Sequence, residues 1–380
     1  MAAHIWKPTI LLVLTATLVS AAEQPPSPSS PRDSGGEAKS YSTVLGSIEA
    51  ALRPDKPEVM IGEPVYLSFT VRNLSDNDLQ SLQGGDYRNR FGRPESYSVA
   101  VVDGQGQALP VLDAGPSFGG IMGPQKIPAR GTWVRRLFLP HWGTLAAAGD
   151  YTITCKTVLK LSKHTPGHWD HNEKTTDINV EVSTPLKVVP TDKKRLGELI
   201  EALGNRMLDR KSDAADEATR SLGWIDDERT IPFFNKAMAT DDYSLRFAAL
   251  DALAKFNSDH ALRGIKAGLA TQASDMRAHA TTDAVAGQLA DNIRHSAAVA
   301  LSRSPHPEAM KLLLSLWQDP YYAVRIDVLH ALGKMDSAES VELLRKMSTD
   351  TNETVRNEAL RYLKLRTENP KAGPAEQPRS

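Results

Sequence analysis

The sequence predicts a multidomain chain in which an all-β sandwich is followed by an all-α solenoid of repeated helix pairs. Apolar residues recur at every second position between about residue 42 and residue 190, which is typical of strands that pack on a core from one side. From about residue 191 the period changes to 3.6, the period of an amphipathic helix. An arginine-centred motif also recurs along this second part, which indicates an internal repeat.

The first 21 residues have the features of a signal peptide. Lys7 supplies a positive charge ahead of TILLVLTATLV, an apolar run that is short for a membrane span. Val19 and Ala21 then occupy the small-residue positions that signal peptidase prefers. We therefore expect cleavage after Ala21 or Ala22, a secreted or periplasmic location, and a mature chain without a transmembrane segment.

Residues 22–41 and 368–380 are rich in Pro, Ser and Gly and poor in apolar groups. Such segments cannot bury enough surface to offset the entropy lost on ordering, so we predict a disordered linker and a disordered tail. These limits leave residues 42–190 for the sandwich and 191–367 for the solenoid. Cys155 is the only cysteine, so no intrachain disulfide can form.

Strand predictions in the first part rest on alternation between turn signals. In PVYLSFTVRN the residues Val65, Leu67, Phe69 and Val71 share one face, and DYTITCKTVLKL and TDINVEVS alternate in the same way. Turn signals such as NLSDND, VDGQGQ and AAAGD separate these runs. VMIGEPVYLSFTVRNLSD and AAAGDYTITCKTVLKL resemble the second and penultimate strands of bacterial immunoglobulin-like domains. That resemblance implies an immunoglobulin-like sandwich.

The pattern R-x-x-[AV]-x-x-[AY]-L marks successive units of the helical part. Its arginines, separated by 48, 31 and 31 residues, are Arg246, Arg294, Arg325 and Arg356. A degenerate earlier copy has Ala215 in the arginine position. Apolar residues recur sixteen and nineteen positions after the arginine, which predicts a second helix in each unit. The long step contains an insertion of about 17 residues around QASDMRAHATTDAVAGQ.

The unit DPYYAVRIDVLHALGKMDSAESVELLRKMSTD, residues 319–350, resembles the short HEAT-like repeats of phycobilisome lyases. The likeness lies in the Asp that opens the unit, the Val-Arg pair and the Ala-Leu-Gly end of the first helix. It covers residues 192 to about 367 and implies four to five stacked helix pairs, with each arginine bracing a neighbouring unit through an acidic partner. Ala215 and the early Asp291 depart from this pattern, so we expect an interrupted Asp–Arg ladder in that half.

A loop between two predicted strands is the candidate metal site. The segment KHTPGHWDHNEK contains four residues of types that bind zinc or copper, namely His164, His168, Asp170 and His171. Pro166 and Gly167 argue against the helix that would fix their spacing, and no cysteine is nearby. A solvated polar loop tip is therefore the favoured interpretation, and no cofactor is predicted.

Two potential nucleophiles match only in part. Ser117 in GPSFG fits the pattern G-x-S-x-G, but a glycine-rich segment follows it where that motif needs a helix. Cys155 lies on the apolar face of its predicted strand, which favours a buried side chain over a reactive thiolate. The sequence also has no paired-carboxylate motif and no phosphate-binding loop, so no enzymatic activity is predicted.

Aromatic side chains are the predicted contacts for a partner: Trp169 in the histidine loop, and Trp317, Tyr321 and Tyr322 at a junction of two units. The net charge of −1 argues against nucleic acid as a partner. The sequence therefore predicts a non-enzymatic scaffold that holds a protein or peptide partner through the solenoid and the sandwich loops. Two alternatives remain open: a zinc or copper protein that uses the histidine loop, and a cell-wall or carbohydrate-binding module.

Overall fold

Strands occupy the first part of the chain and helices the second. The structure, a computed structural model, describes residues 36–81, 88–89, 96–112, 117–118, 124–165 and 174–368, with the backbone alone for 88–89 and 117–118. The last strand ends at Val189 and the first α-helix begins at Lys193. The predicted order, a β-rich region and then a helical region, is confirmed.

The strand region contains two large sheets and one small one within the described residues. Its strands are β1 (Lys39–Thr43), β2 (Gly46–Pro54), β3 (Glu58–Met60), β4 (Tyr66–Asn73), β5 (Leu79–Ser81), β6 (Arg88–Asn89), β7 (Tyr97–Asp103), β8 (Ser117–Phe118), β9 (Gln125–Ile127), β10 (Thr132–Phe138), β11 (Gly149–Lys163) and β12 (Thr176–Val189). The first sheet has the order β1-β2-β4-β10. The second has the order β3-β12-β11-β5-β9, with β7 also paired to β11, while β6 and β8 form a separate pair.

The two large sheets share one hydrophobic core. Phe69 of β4 and Tyr97 of β7, on different sheets, have ring centroids 5.5 Å apart. The long β11–β12 hairpin pairs from Gly149 opposite Val188 to Leu161 opposite Thr176, and alternate residues of β11 are buried. Pairing starts at Lys39, three residues before the predicted start of the sandwich, because β1 adds to the edge of β2.

The helical region contains ten α-helices in the described part of the chain. They are α1 (Lys193–Leu208), α2 (Ala215–Trp224), α3 (Ile231–Met238), α4 (Tyr243–Leu253), α5 (Asp259–Leu269), α6 (Asp283–Arg303), α7 (Pro307–Ser315), α8 (Tyr322–Gly333), α9 (Ala338–Met347) and α10 (Glu353–Glu368). Short 3-10 helices cover Leu139–His141, Glu228–Thr230 and Ala273–His279. None of the described helices is both long and apolar enough to cross a membrane.

The repeat motif lies on α2, α4, α6, α8 and α10, here called the motif helices. Each motif helix packs against the next one, so they form one continuous layer. The predicted insertion forms the 3-10 helix Ala273–His279 and the first turns of α6, which is 21 residues long. Side-chain caps begin several helices, for example Asp242 before α4 and Thr282 before α6.

The later motif arginines brace neighbouring units as the resemblance implies. Arg325 is 10% exposed and places Nε and a terminal nitrogen each 2.8 Å from the Asp350 carboxylate. Arg294 contacts Asp319 at 3.3 Å and also Asp291 at 2.9 Å. The expectation of an interruption at Asp291 was therefore wrong, since one arginine reaches both acids.

The ladder does change in the earlier units. Thr271 stands where Asp319 and Asp350 stand in later units, and its hydroxyl accepts a hydrogen bond from Arg246 at 3.2 Å. The nearest carboxylate to Arg246, that of Asp275, is 3.9 Å away and 41% exposed. Where Ala215 replaces the arginine, Arg210 contacts Asp242 of the next unit at 2.8 Å.

Met60 of the strand region belongs to the core of the helical region. It is 1% exposed and packs with the buried side chains of the first helices. β3 brings it there because it pairs in parallel with β12, the strand that leads into α1. Asp192 then starts α1 by accepting hydrogen bonds from the backbone of Lys194 and Arg195.

Arg136 of β10 adds a polar contact between the strand region and the helices. Its guanidinium hydrogen-bonds Asp55 of the strand region and, at 3.1 and 3.2 Å, both carboxylate oxygens of Glu217 on α2. Phe138, two residues along, meets Trp224 of α2 edge to face at 6.1 Å. The strand region thus covers the N-terminal end of the helical core with both apolar and charged groups.

Candidate partner-binding surface

Tyr321 and Tyr322 lie where the loop after α7 turns into α8. The Asp319 carboxylate accepts the Tyr321 N–H at 2.8 Å, which fixes this turn, and α8 begins at Tyr322. The two rings meet edge to face, with centroids 5.5 Å apart and planes at 71°. Tyr321 is half-buried, whereas Tyr322 is 43% exposed.

Asn292 of α6 joins these rings to a third tyrosine. Its Oδ1 lies 3.5 Å from the Tyr321 hydroxyl, and its side chain also interacts with Tyr243 of α4, where it opposes the rise that burial causes in the pKa of that tyrosine. The His295 ring, one turn further along α6, is 6.2 Å from Tyr321 at 79°. Tyr243, Asn292, His295, Tyr321 and Tyr322 therefore form one patch across three motif helices, here called the tyrosine surface.

Negative charge surrounds the tyrosine surface. Burial raises the pKa of Tyr321, and the negative charge of Asp291 raises it further. Asp327 of α8, 13% exposed, lies 3.2 Å from Nε2 of His295. The nearby cation, Arg294, is 14% exposed and is already held between Asp291 and Asp319. The charge close to the rings is therefore predominantly negative.

Trp317 lines an adjoining groove. The groove has a volume of about 630 Å³ and lies between the loop before α8 and the end of α9. Trp317 is half-buried and shares the lining with Arg325, Met347 and Asp350. The structure thus separates the predicted aromatic contacts into a tyrosine pair on the motif-helix layer and a tryptophan beside the Arg325–Asp350 ion pair.

The histidine loop is described only at its start. His164 follows the end of β11, its backbone N–H donates to the Asp78 carbonyl, and its Nδ1 is 3.0 Å from Oε1 of Gln80. His168, Trp169, Asp170 and His171 lie outside the described residues. Among the residues that the structure does describe, no group of three His, Cys, Asp or Glu side chains could hold a metal ion.

Both potential nucleophiles lie in strands. Ser117 is in β8, opposite Asn89 of β6, and residues 119–123, which decide whether it matches the G-x-S-x-G turn, lie outside the described part of the chain. Cys155 is fully buried in the strand core, and burial raises the pKa of its thiol to about 12. The thiolate form is therefore strongly disfavoured at neutral pH.

Sequence reasoning missed Tyr243, Asn292, His295 and Asp327. Aligning the repeats in register could have found one of them, since Tyr243 and Tyr322 each stand three residues before a motif arginine. The other three carry no such signal. Their proximity to the rings depends on motif helices lying side by side, which single-sequence periodicity does not report.

Comparisons with known proteins concern the helical region. A family model for HEAT repeats matches residues 199–286 and 284–364. Among solved structures, human deoxyhypusine hydroxylase in complex with glycerol is 18% identical, with 44% of this chain and 63% of that chain covered and a TM-score of 0.30. This chain therefore spans less than two thirds of the hydroxylase.

An engineered protein is similar over the same share of this chain. It is 20% identical, with 44% of this chain and 79% of that chain covered and a TM-score of 0.25. Comparison with curated protein sequences finds no match. On the strength of the family match, residues 199–364 of this protein consist of HEAT repeats.

Proposed function

We propose that this protein is a non-enzymatic scaffold that holds a protein or peptide partner on its HEAT repeats. The tyrosine surface carries the proposal, because it places one tyrosine at the start of α4 and two at the start of α8, on either side of α6, and leaves Tyr322 43% exposed. Tyrosine is enriched at interfaces, where its ring buries a large area. Stacked repeats supply the extended surface on which such contacts accumulate.

The export of this scaffold is part of the same proposal. It is supported by the positive charge of Lys7, the apolar run after it and the small residues Val19 and Ala21. We also propose an immunoglobulin-like arrangement for the strand region, supported by two sheets around one core. N-terminal sequencing of the protein from its native host tests export. A mature chain beginning at residue 22 or 23 is expected, and an intact Met1 would contradict it.

Site-specific photocrosslinking tests the binding function. A benzoylphenylalanine in place of Tyr322 should crosslink one reproducible protein in the native envelope fraction. The matched control puts the same probe at Val158 on β11, which is also 43% exposed, and should give no such product. Equal products at both positions would point to collision rather than binding. Turnover of a defined substrate by the pure protein would overturn the non-enzymatic assignment.

A metal-binding function is the second candidate, and His164 is the observation that favours it. Its Nδ1 lies 3.0 Å from Oε1 of Gln80, which leaves Nε2 as the acceptor nitrogen in the neutral ring. Metal-ligating histidines are commonly oriented by such a contact. About one equivalent of zinc or copper is expected in untagged protein if this candidate is correct. The metal should be lost when His164, His168 and His171 are replaced by Ala together.

A further inference from the structure

The tyrosine surface has a partial counterpart one unit further along, in which the same types of group meet but only the carboxylates stand at equivalent repeat positions. Asp327 and Glu358 occupy the same position, two residues after a motif arginine, and each is approached by a histidine from the preceding motif helix. His295 reaches Asp327 at 3.2 Å, and His330 reaches Glu358 at 3.7 Å. Each histidine also meets a tyrosine ring at a steep angle, Tyr321 in the first case and Tyr362 in the second.

The counterpart already holds a guanidinium. Arg361 is bound to Glu358 through two nitrogens, and its central carbon lies 4.4 Å from the centroid of the Tyr362 ring. The hydrogen bonds from Arg361 lower the pKa of Glu358 against the opposing effect of burial. The chain thus already pairs one guanidinium with a carboxylate and a tyrosine ring that a histidine also contacts.

The tyrosine surface has the same types of group but no guanidinium of its own over the rings. Within the described part of the chain, no lysine or arginine lies over the ring of Tyr243, Tyr321 or Tyr322. Arg294 is the adjacent cation, and two carboxylates already bind it. The rings of Tyr321 and Tyr322 meet at 71° and form a corner, and the 43% exposure of Tyr322 leaves one side of that corner accessible to an incoming group.

Charge decides which kind of group fits this corner. Asp291 is 35% exposed and raises the pKa of Tyr321, so its charge acts at the rings. Asp327 is mostly buried and adds a second negative charge. Its carboxylate contacts His295, whose ring in turn meets the ring of Tyr321. An anionic side chain would be repelled by these carboxylates, and a neutral side chain would gain no electrostatic attraction to them. A planar guanidinium can stack on a ring and bind a carboxylate at the same time.

We infer that the tyrosine surface binds an arginine side chain of the partner, in the way that Tyr362 and Glu358 hold Arg361 within the chain. This inference rests on the proposed binding function and names the chemistry of the partner. The arginine stacks on the rings of Tyr321 and Tyr322 and pairs with Asp291, which is 35% exposed, because Asp327, at the position of Glu358, is only 13% exposed. Lysine is the weaker ligand, since its ammonium cannot stack and pairs with a carboxylate only as a point charge.

A titration with small amides tests the inference on the full chain. The protein is labelled with 3-fluorotyrosine, and fluorine NMR follows the Tyr321 and Tyr322 signals, assigned with single Tyr→Phe variants. The probes are the N-acetyl methylamides of arginine, lysine, norleucine and glutamate. We expect saturable shifts with arginine at concentrations about two- to fivefold below those needed for norleucine, the ratio that an exposed cation–π contact gives. Glutamate should give none.

Substitutions distinguish the contribution of the Tyr322 ring to arginine binding from that of the Asp291 charge. Tyr322→Phe keeps the ring and should keep the preference for arginine, whereas Tyr322→Leu should reduce arginine to the level of norleucine. Asp291→Asn should weaken arginine and leave norleucine unchanged. Norleucine or glutamate binding as strongly as arginine, or no shift with any probe, would overturn the inference. If a partner still crosslinks at Tyr322 while the amides give such a result, the scaffold function is supported and only arginine binding is refuted. The two hypotheses can therefore fail separately.

Discussion

The two ends of the helical region are held by different means. Towards the C-terminus the motif itself holds the units together, through the buried contact of Arg325 with Asp350. Towards the N-terminus the motif is incomplete, because Ala215 replaces one arginine and Thr271 replaces one aspartate. There Arg210 contacts Asp242 in place of the missing motif arginine, and the strand region adds Met60 to the helical core and Arg136 to α2. A repeat motif can thus be lost where other contacts hold the units together.

The largest effect is expected from breaking the C-terminal ladder. Arg325→Met leaves the Asp350 carboxylate buried without its partner, so the free energy of unfolding should fall by about 3–5 kcal/mol. Arg246→Met leaves no buried carboxylate without a partner, because the Asp275 carboxylate is 3.9 Å away and 41% exposed. The free energy of unfolding should therefore fall by about 1–2 kcal/mol. Urea denaturation followed by circular dichroism measures both. Equal losses would show that the two halves are braced alike.

The next largest effect is expected where the strand region enters the helical core. Met60→Ala should lower the free energy of unfolding by about 2–5 kcal/mol, because it leaves a cavity where a side chain that is 1% exposed had packed. Met310→Ala on α7 is the matched control, since Met310 is 36% exposed and should change little. Met60→Leu conserves volume and should cost less than about 1.5 kcal/mol. Similar losses for Met60→Ala and Met310→Ala would contradict the capping role of Met60.

A smaller effect is expected from the polar contact between the regions. Arg136→Ala removes hydrogen bonds to Asp55 and Glu217 from a side chain that is 33% exposed, so a loss of about 1–2 kcal/mol is expected. Modification of the Cys155 thiol reports opening of the strand region, since this thiol is buried. Helical circular dichroism reports the helices. The two transitions should coincide in the wild type and separate in the variant; separation already in the wild type would mean that the regions unfold independently.

The smallest effect is a dependence on pH. Burial opposes ionisation of Asp350, but the Arg325 hydrogen bonds and the Asn352 N–H outweigh it, and the pKa of Asp350 is lowered. The stability that this ion pair contributes is fully present above the unfolded-state pKa of about 3.9 and is lost as pH falls through the lower folded-state value. Unfolding at pH 7 and pH 2.5 should therefore show a larger acid-induced loss for the wild type than for Asp350→Asn. An equal loss in both would contradict the assignment.

The sequence predicted the parts of the fold that depend on periodicity. Alternation found β4, β11 and β12, and the arginine spacing found the motif helices, because both patterns follow from burial of one face. It did not predict Met60, which reads as an ordinary strand residue. Its burial depends on β3 running parallel to β12, a pairing between positions far apart in sequence.

Predictions at the candidate surface divide in the same way. Tyr321 and Tyr322 were predicted as partner contacts because aromatic residues cluster in WQDPYY. Asn292 and His295 were not, because they come close to those rings only when α6 and α8 pack against each other. Composition finds residues of the right type, whereas packing decides which of them meet.

The burial of Met60 among the first helices has a consequence for producing the two regions as separate proteins. A fragment cut at the loop between β12 and α1 would leave the helices with an uncovered apolar end where the methionine side chain had been. Such a fragment should self-associate through that end. We therefore expect that the HEAT repeats of this chain, when grafted onto another protein, need a replacement for β3.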